Sequence, residues 1–110
     1  MSDGDLIIGF EAALTGKGHS IREAGELARF ARYAASRGHL ICNVETYELR
    51  GDLEVPRIDL GLYQGSAEEA ELSTDERAGR SMLRLGEIVA DCEAESAGFL
   101  FQVWIDSLEA

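Results

Sequence analysis

The sequence predicts an α+β domain of two layers, a small mostly antiparallel sheet of about three strands with helices on one face. Three observations predict it. Apolar residues recur three and four apart over 21–37 and 74–93, the spacing of one helix face. The period changes to two over 39–50, the mark of a strand. A third stretch, Phe99-Leu-Phe-Gln-Val-Trp-Ile105, is β-branched and aromatic and apolar on both faces, which suits a central strand. The expected order is α-α-β-β-(α)-α-β over one domain, 1–110, with 1–5 and 107–110 as frayed tails.

Asp5 can cap a first helix over roughly 6–15, with Leu6, Ile7, Phe10, Ala13 and Leu14 on one face and Gly16 and Gly18 ending it. Ser20 and Glu23 have the capping-box spacing, so the second helix is expected from 21 to 37. Its stripe is Ile21, Ala24, Leu27/Ala28, Ala31 and Ala34/Ala35, and Gly38 stands at the C′ position. In the strand that follows, Leu40, Cys42, Val44 and Thr46 alternate with Ile41, Asn43, Glu45 and Tyr47. Gly51-Asp52 marks a turn, and Ile58, Leu60 and Leu62 alternate again beyond it, so a hairpin is expected. A two-residue turn pairs Val44 with Asp59. A turn one residue longer sets Cys42, Val44 and Thr46 beside Leu62, Leu60 and Ile58, and is preferred because it buries more. Pro56 has no N–H and makes the second strand an edge strand or an extended loop.

Two further capping boxes, Ser66 to Glu69 and Ser73 to Glu76, announce a short turn of helix near 67–72 and a long helix from 74 or 75 to about 93. The stripe of the long helix is Ala78, Met82, Leu85, Val89 and Cys92, widened by Ile88.

Charge is segregated along the chain. Residues 1–40 carry five acids and five bases. Residues 41–75 carry nine acids against Arg50 and Arg57, and 76–110 carry seven against Arg77, Arg80 and Arg84, giving a net −11 for the whole chain. Such a charge repels nucleic acid and anionic membranes and attracts a basic protein or a cationic ligand. No apolar run approaches the roughly 18 residues of a membrane span, and MSDGDLIIGF has no basic n-region, so a cytoplasmic protein with reduced thiols is expected.

No cofactor or metal is expected. His39 and Cys42 have H-x-x-C spacing, but residues three apart on a strand point to opposite faces. The other soft ligands, His19 and Cys92, have no motif spacing, and a closed zinc site needs four. Cys92 lies on an apolar stripe, as an inert core thiol does. The 21 acids place carboxylates side by side by chance, so a pair is not evidence of acid–base catalysis. Thr15-Gly-Lys-Gly18 lacks the spacing of a phosphate loop, and Arg50-Gly51-Asp52 reads as a turn.

The stretch 52–65, DLEVPRIDLGLYQG, mixes acids with apolar residues and Tyr63 after a turn, and is the best candidate for function. The leading expectation is a non-catalytic binding or inhibitory protein. Its basic protein partner meets anchors at Tyr47 and Tyr63 and an acidic rim of Glu45, Glu48, Asp52, Glu54 and Asp59. Small acidic inhibitors and toxin-immunity proteins share this size and charge, a likeness of composition alone. Two alternatives stand beside it: a small enzyme or ligand-binding domain with a pocket between sheet and helices, where Glu45, Tyr47 or His39 converge, and a homo-oligomer, such as a homodimer, joined through its edge strand.

Overall fold

The computed structural model describes residues 3–64 and 71–108. The class is as the sequence predicts, but the antiparallel sheet has five strands rather than about three. Helix α1 spans Asp3–Leu14, strand β1 His19–Ile21, helix α2 Ala24–Ser36, strand β2 His39–Arg50 and strand β3 Leu53–Pro56. A 3₁₀ turn, Ile58–Leu60, leads into strand β4, Leu62–Tyr63; helix α3 spans Thr74–Ala94 and strand β5 Gly98–Ser107. The sheet order is β1-β5-β2-β3, with β4 beside β3 on the same edge of β2. The short helix expected near 67–72 falls largely on residues outside those described.

One extra strand, β1, takes the start of the expected second helix, and the other arises because the 3₁₀ turn splits the expected second hairpin strand into β3 and β4. Ser20 does not cap α2; it lies in β1 and accepts a 2.6 Å hydrogen bond from Gln102 Nε2. Glu23 is the N-cap, without a side-chain bond. A cap is worth about 1 kcal/mol, whereas full burial of an Ile side chain is worth about 1.5–3 kcal/mol. Ile21, 1 % exposed and opposite Phe101, therefore decides the matter in favour of the strand. Residues 3–5, expected as a tail, are the first turn of α1, and β5 runs on to Ser107.

The hairpin turn has two residues, with Arg50 opposite Leu53 and Tyr47 opposite Pro56. The longer turn preferred on burial grounds is not formed. Gly51 takes φ 59°, the positive value that a two-residue hairpin turn needs at its first position. Ile58–Leu60 then leaves the sheet as the 3₁₀ turn, so the pairing resumes three residues out of step, with Val44 opposite Leu62.

β2 and β5 form the long central pair, from His39 opposite Ser107 to Leu49 opposite Gly98. A bulge between Ile41 and Asn43 leaves Cys42 as the extra residue. It switches the alternation, so Ile41 before it and Val44, Thr46 and Glu48 after it all face the helices. The freed geometry is anchored from α3, where Ser81 Oγ donates to the Ile41 carbonyl at 2.7 Å.

The core lies between this inner sheet face and the helices. Phe101, Val103, Ile21, Ile41 and Val44 meet Leu27, Phe30 and Ala34 of α2 and Leu85, Ile88 and Cys92 of α3. Helix α1 closes the end with Leu6, Phe10 and Ala13. The capping box Ser73–Glu76 starts α3 as expected, with Glu76 N donating to Ser73 Oγ at 3.2 Å. His19 is held between Phe30, 5.2 Å between ring centroids, and the backbone of α1 at Gly9. Burial keeps its pKa below the usual histidine value.

Phe30 is fully buried beside Leu27, Ala31 and Ala34 of the expected stripe of α2, which its ring widens. Phe30→Ala should destabilise the protein by about 3–5 kcal/mol, the cost of truncating a buried aromatic ring. Urea unfolding followed by Trp104 fluorescence measures it, and a loss under about 1 kcal/mol would show that α2 does not seat on the sheet through this ring.

Candidate functional site

The seven residues expected to bind a partner do not share one face. Glu45, Tyr47, Glu54 and Tyr63 lie on the outer sheet face, which no described helix covers. Asp52 is exposed in the hairpin turn. Glu48 faces inward with its side chain 9 % exposed, and Asp59 sits in the 3₁₀ turn.

Glu48 and Asp59 are engaged within the molecule by Arg57. Its Nη1 donates to Glu48 Oε1 at 2.6 Å and to Glu95 Oε1 at 3.0 Å. Its Nη2 donates to Asp59 Oδ2 and Glu95 Oε2, both at 3.0 Å, and its Nε donates to Asp59 Oδ1 at 3.0 Å. A guanidinium has five N–H donors, and all five are used. Arg50 adds a second cation to Glu48. The carboxyl of Glu48 is held below its ordinary range mainly by Arg50, and that of Asp59 mainly by Arg57, while the guanidinium pKa of Arg57 is raised in turn. Sequence reasoning passed over Arg57. The available signal was its isolation, as the one base between Arg50 and Arg77 among eight acids.

The 3₁₀ turn is pinned from both sides. Arg57 N donates to the Thr46 carbonyl at 2.8 Å, and Thr46 Oγ1 to the Leu60 carbonyl at 2.6 Å. From α3, Arg84 donates to the carbonyls of Asp59 at 2.7 Å and Gly61 at 3.0 Å. Because the turn leaves the sheet between β3 and β4, it opens a notch of about 160 Å³ in the edge of β2. Glu45, Tyr47, Pro56, Ile58 and Tyr63 line it, together with Thr46 and Arg57.

Tyr47 Oη donates to Glu45 Oε2 at 2.7 Å, and this bond raises the phenol's pKa. The ring of Tyr63 folds back over Gly61, where a Cβ would lie 2.5 Å from the Tyr63 hydroxyl. Only glycine leaves room for the ring in this position. Glu45 is half-buried, and among the described residues its carboxylate meets no Lys, Arg or His. Asp52 and Glu54 likewise have no ion pair there.

His39 does not converge with Glu45. It stacks edge-on against Phe10, 5.1 Å between ring centroids, at the α1 end of the sheet. The layer between sheet and helices is filled by the core side chains, and the described clefts open at the surface, in the β2 edge and between pairs of helices. Among the described residues no group of three His, Cys, Asp or Glu could hold a metal ion, and no helix is long and apolar enough to cross a membrane. The sheet edges are short: β1 has three residues, and the opposite edge is broken by the 3₁₀ turn. No protein-family model matches the chain, and no curated protein or solved structure is significantly similar to it.

Both cysteines are free thiols. Burial, with the charge of Glu95 second, pushes Cys92 up to about 11. Burial and Asp106 raise Cys42, whose thiol donates to the Trp104 carbonyl at 3.5 Å. Since thiolate is the reactive form, both should be labelled slowly by a maleimide in the native state at neutral pH and quickly in denaturant. Mass spectrometry of peptides checks each, and fast native labelling of Cys92 would show that the C-terminal end of α3 opens.

The Arg57 cluster gives a pH dependence of definite sign. Glu48 and Asp59 have folded pKa values below their ordinary 4.5 and 3.8, so the unfolded state binds more protons in acid. Their contribution is present above those ordinary values and is lost as pH falls through the lower folded ones. Arg57→Gln should therefore lower the thermal midpoint at pH 7, and the difference from the parent protein should narrow below about pH 4. A constant difference down to pH 2.5 would show that Arg57 acts through packing rather than charge.

Proposed function

We propose that the protein is a small non-catalytic binding or inhibitory protein that engages a basic protein through its acidic hairpin and outer sheet face. The observation that carries this reading is the sorting of the acids. Arg57 pairs internally with Glu48, Asp59 and Glu95, whereas among the described residues Glu45, Asp52 and Glu54 meet no cation. Glu45 and Glu54 flank Tyr47, whose phenol their charges perturb, and Tyr63 stands beside it, 51 % exposed. Aromatic anchors within an unneutralised acidic rim suit a cationic surface. The raised thiol pKa values argue against a cysteine nucleophile.

The acidic field acts on encounter and the tyrosines on residence. With a basic partner captured on the immobilised protein, Asp52→Lys and Glu54→Lys together should slow association by about tenfold at low salt, with the effect shrinking as salt rises. Tyr63→Ala should speed dissociation. The lysine variants should keep or slightly raise the thermal midpoint, because among the described residues neither acid has an ion pair to lose. Association unchanged at low salt would reduce these acids to a solvated rim and remove the reading.

A further inference from the structure

We infer that the notch in the edge of β2 is a receptor for one arginine side chain of a partner protein, with Glu45 as its counter-ion. The inference rests on the docking reading and names the group that the surface selects.

The notch exists because the chain leaves the sheet between Pro56 and Leu62, and its shape is held by bonds on both sides. Thr46 holds the Leu60 carbonyl, and Arg84 holds those of Asp59 and Gly61. It is therefore preorganised and needs little ordering on binding. Its volume of about 160 Å³ matches about five water molecules, enough for a guanidinium and the adjoining methylenes.

The lining is chemically selective. One carboxylate, Glu45, lies in it, meets no cation among the described residues and is steadied by the 2.7 Å bond from Tyr47. That bond uses one site on Oε2, and a carboxylate has about four lone-pair sites, so Glu45 can still accept from a ligand. The remaining walls are flat and apolar: the rings of Tyr47 and Tyr63, Pro56, and Ile58, which is 77 % exposed at the mouth. A cation between aromatic faces and a carboxylate gains from both. The one cation already in the lining, Arg57, does not oppose it, since its five donors are all on carboxylates.

Arginine suits these walls better than lysine. The guanidinium is planar, weakly hydrated and stacks on aromatic rings, whereas an ammonium is a compact, strongly hydrated point charge. An anionic group would face the carboxylate of Glu45 there with no free guanidinium to offset it, because the N–H groups of Arg57 are occupied.

The test is an NMR titration of the ¹⁵N-labelled protein with three capped tripeptides, acetyl-Gly-X-Gly-amide, where X is arginine, lysine or citrulline. Citrulline keeps the shape of arginine and loses its charge. The arginine peptide is expected to give saturable shifts at the amides of Glu45, Tyr47, Ile58 and Tyr63. The lysine peptide should bind at least about threefold more weakly, and citrulline should leave those amides in place. Glu45→Gln should weaken the arginine peptide by about tenfold or more. Tyr63→Ala, at an exposed ring, should weaken it by about threefold with an unchanged thermal midpoint.

Equal shifts with citrulline, a Glu45→Gln variant that binds as well as the parent, or shifts spread along the hairpin and abolished by modest salt would each overturn the inference. The two readings fail separately. Seating of the arginine peptide at Glu45 with no basic protein partner sustains the notch and removes the docking reading. A basic protein that responds to Asp52 and Glu54 while the peptide leaves Glu45 unmoved does the reverse.

Discussion

Arg57 joins three parts of the chain that would otherwise repel one another. Glu48 comes from the central strand, Asp59 from the 3₁₀ turn and Glu95 from the C-cap of the last helix, and each carboxylate meets the same guanidinium. The guanidinium carbon lies 6.0 Å from the ring centre of Phe99, so the cluster seals one end of the apolar core. Glu48 stands where the alternation of β2 would otherwise place an apolar side chain. A carboxylate is tolerated at such a site only when cations and hydrogen bonds meet it there. The same cluster fixes where the chain leaves the sheet, and with it the shape of the candidate site.

A second constraint is the bulge at Cys42. It moves the inward-facing positions of β2 from odd to even numbers, so that Ile41 and Val44, three residues apart, are both buried. Ser81 of α3 reaches the Ile41 carbonyl at this point, and Thr46 reaches the Leu60 carbonyl further along. Thr46 and Ser81 are buried polar residues, and both are satisfied by backbone oxygens of segments that leave regular pairing. The irregular parts of the sheet are therefore the parts held by side chains, as expected where ladder bonds are missing.

Function on this reading depends on which acids are left over. A charge of −11 by itself confers solubility and a long-range preference for cations. It becomes a local property only after Arg57, Arg77 and Arg84 have taken their partners. The acids that remain on the outer sheet face lie beside tyrosines, and the sheet edge beside them is interrupted. An interrupted edge is a poor template for strand addition, and the interruption instead provides a concave surface with a carboxylate in it.

The sequence by itself determined the class, the strand 39–50, the long helix from its Ser73 capping box, and the buried strand near the C-terminus. Each rests on periodicity or capping within one stretch of chain, and such local signals survive without knowledge of the partner. It also placed Glu45, Tyr47 and Tyr63 among the candidates and pointed to the segment after the hairpin. Only the tertiary structure decided that Ser20 pairs rather than caps, because that depends on β5, some 80 residues away. Only it separated Glu45 from Glu48 and Asp59, which are alike in sequence as acids among apolar neighbours. Whether an acid is paired or left without a cation depends on where distant cations fall, and Arg57 reaches Glu95 across 38 residues of chain. Periodicity carries no record of such a contact, since a salt bridge constrains two points in space and leaves the residues between them free.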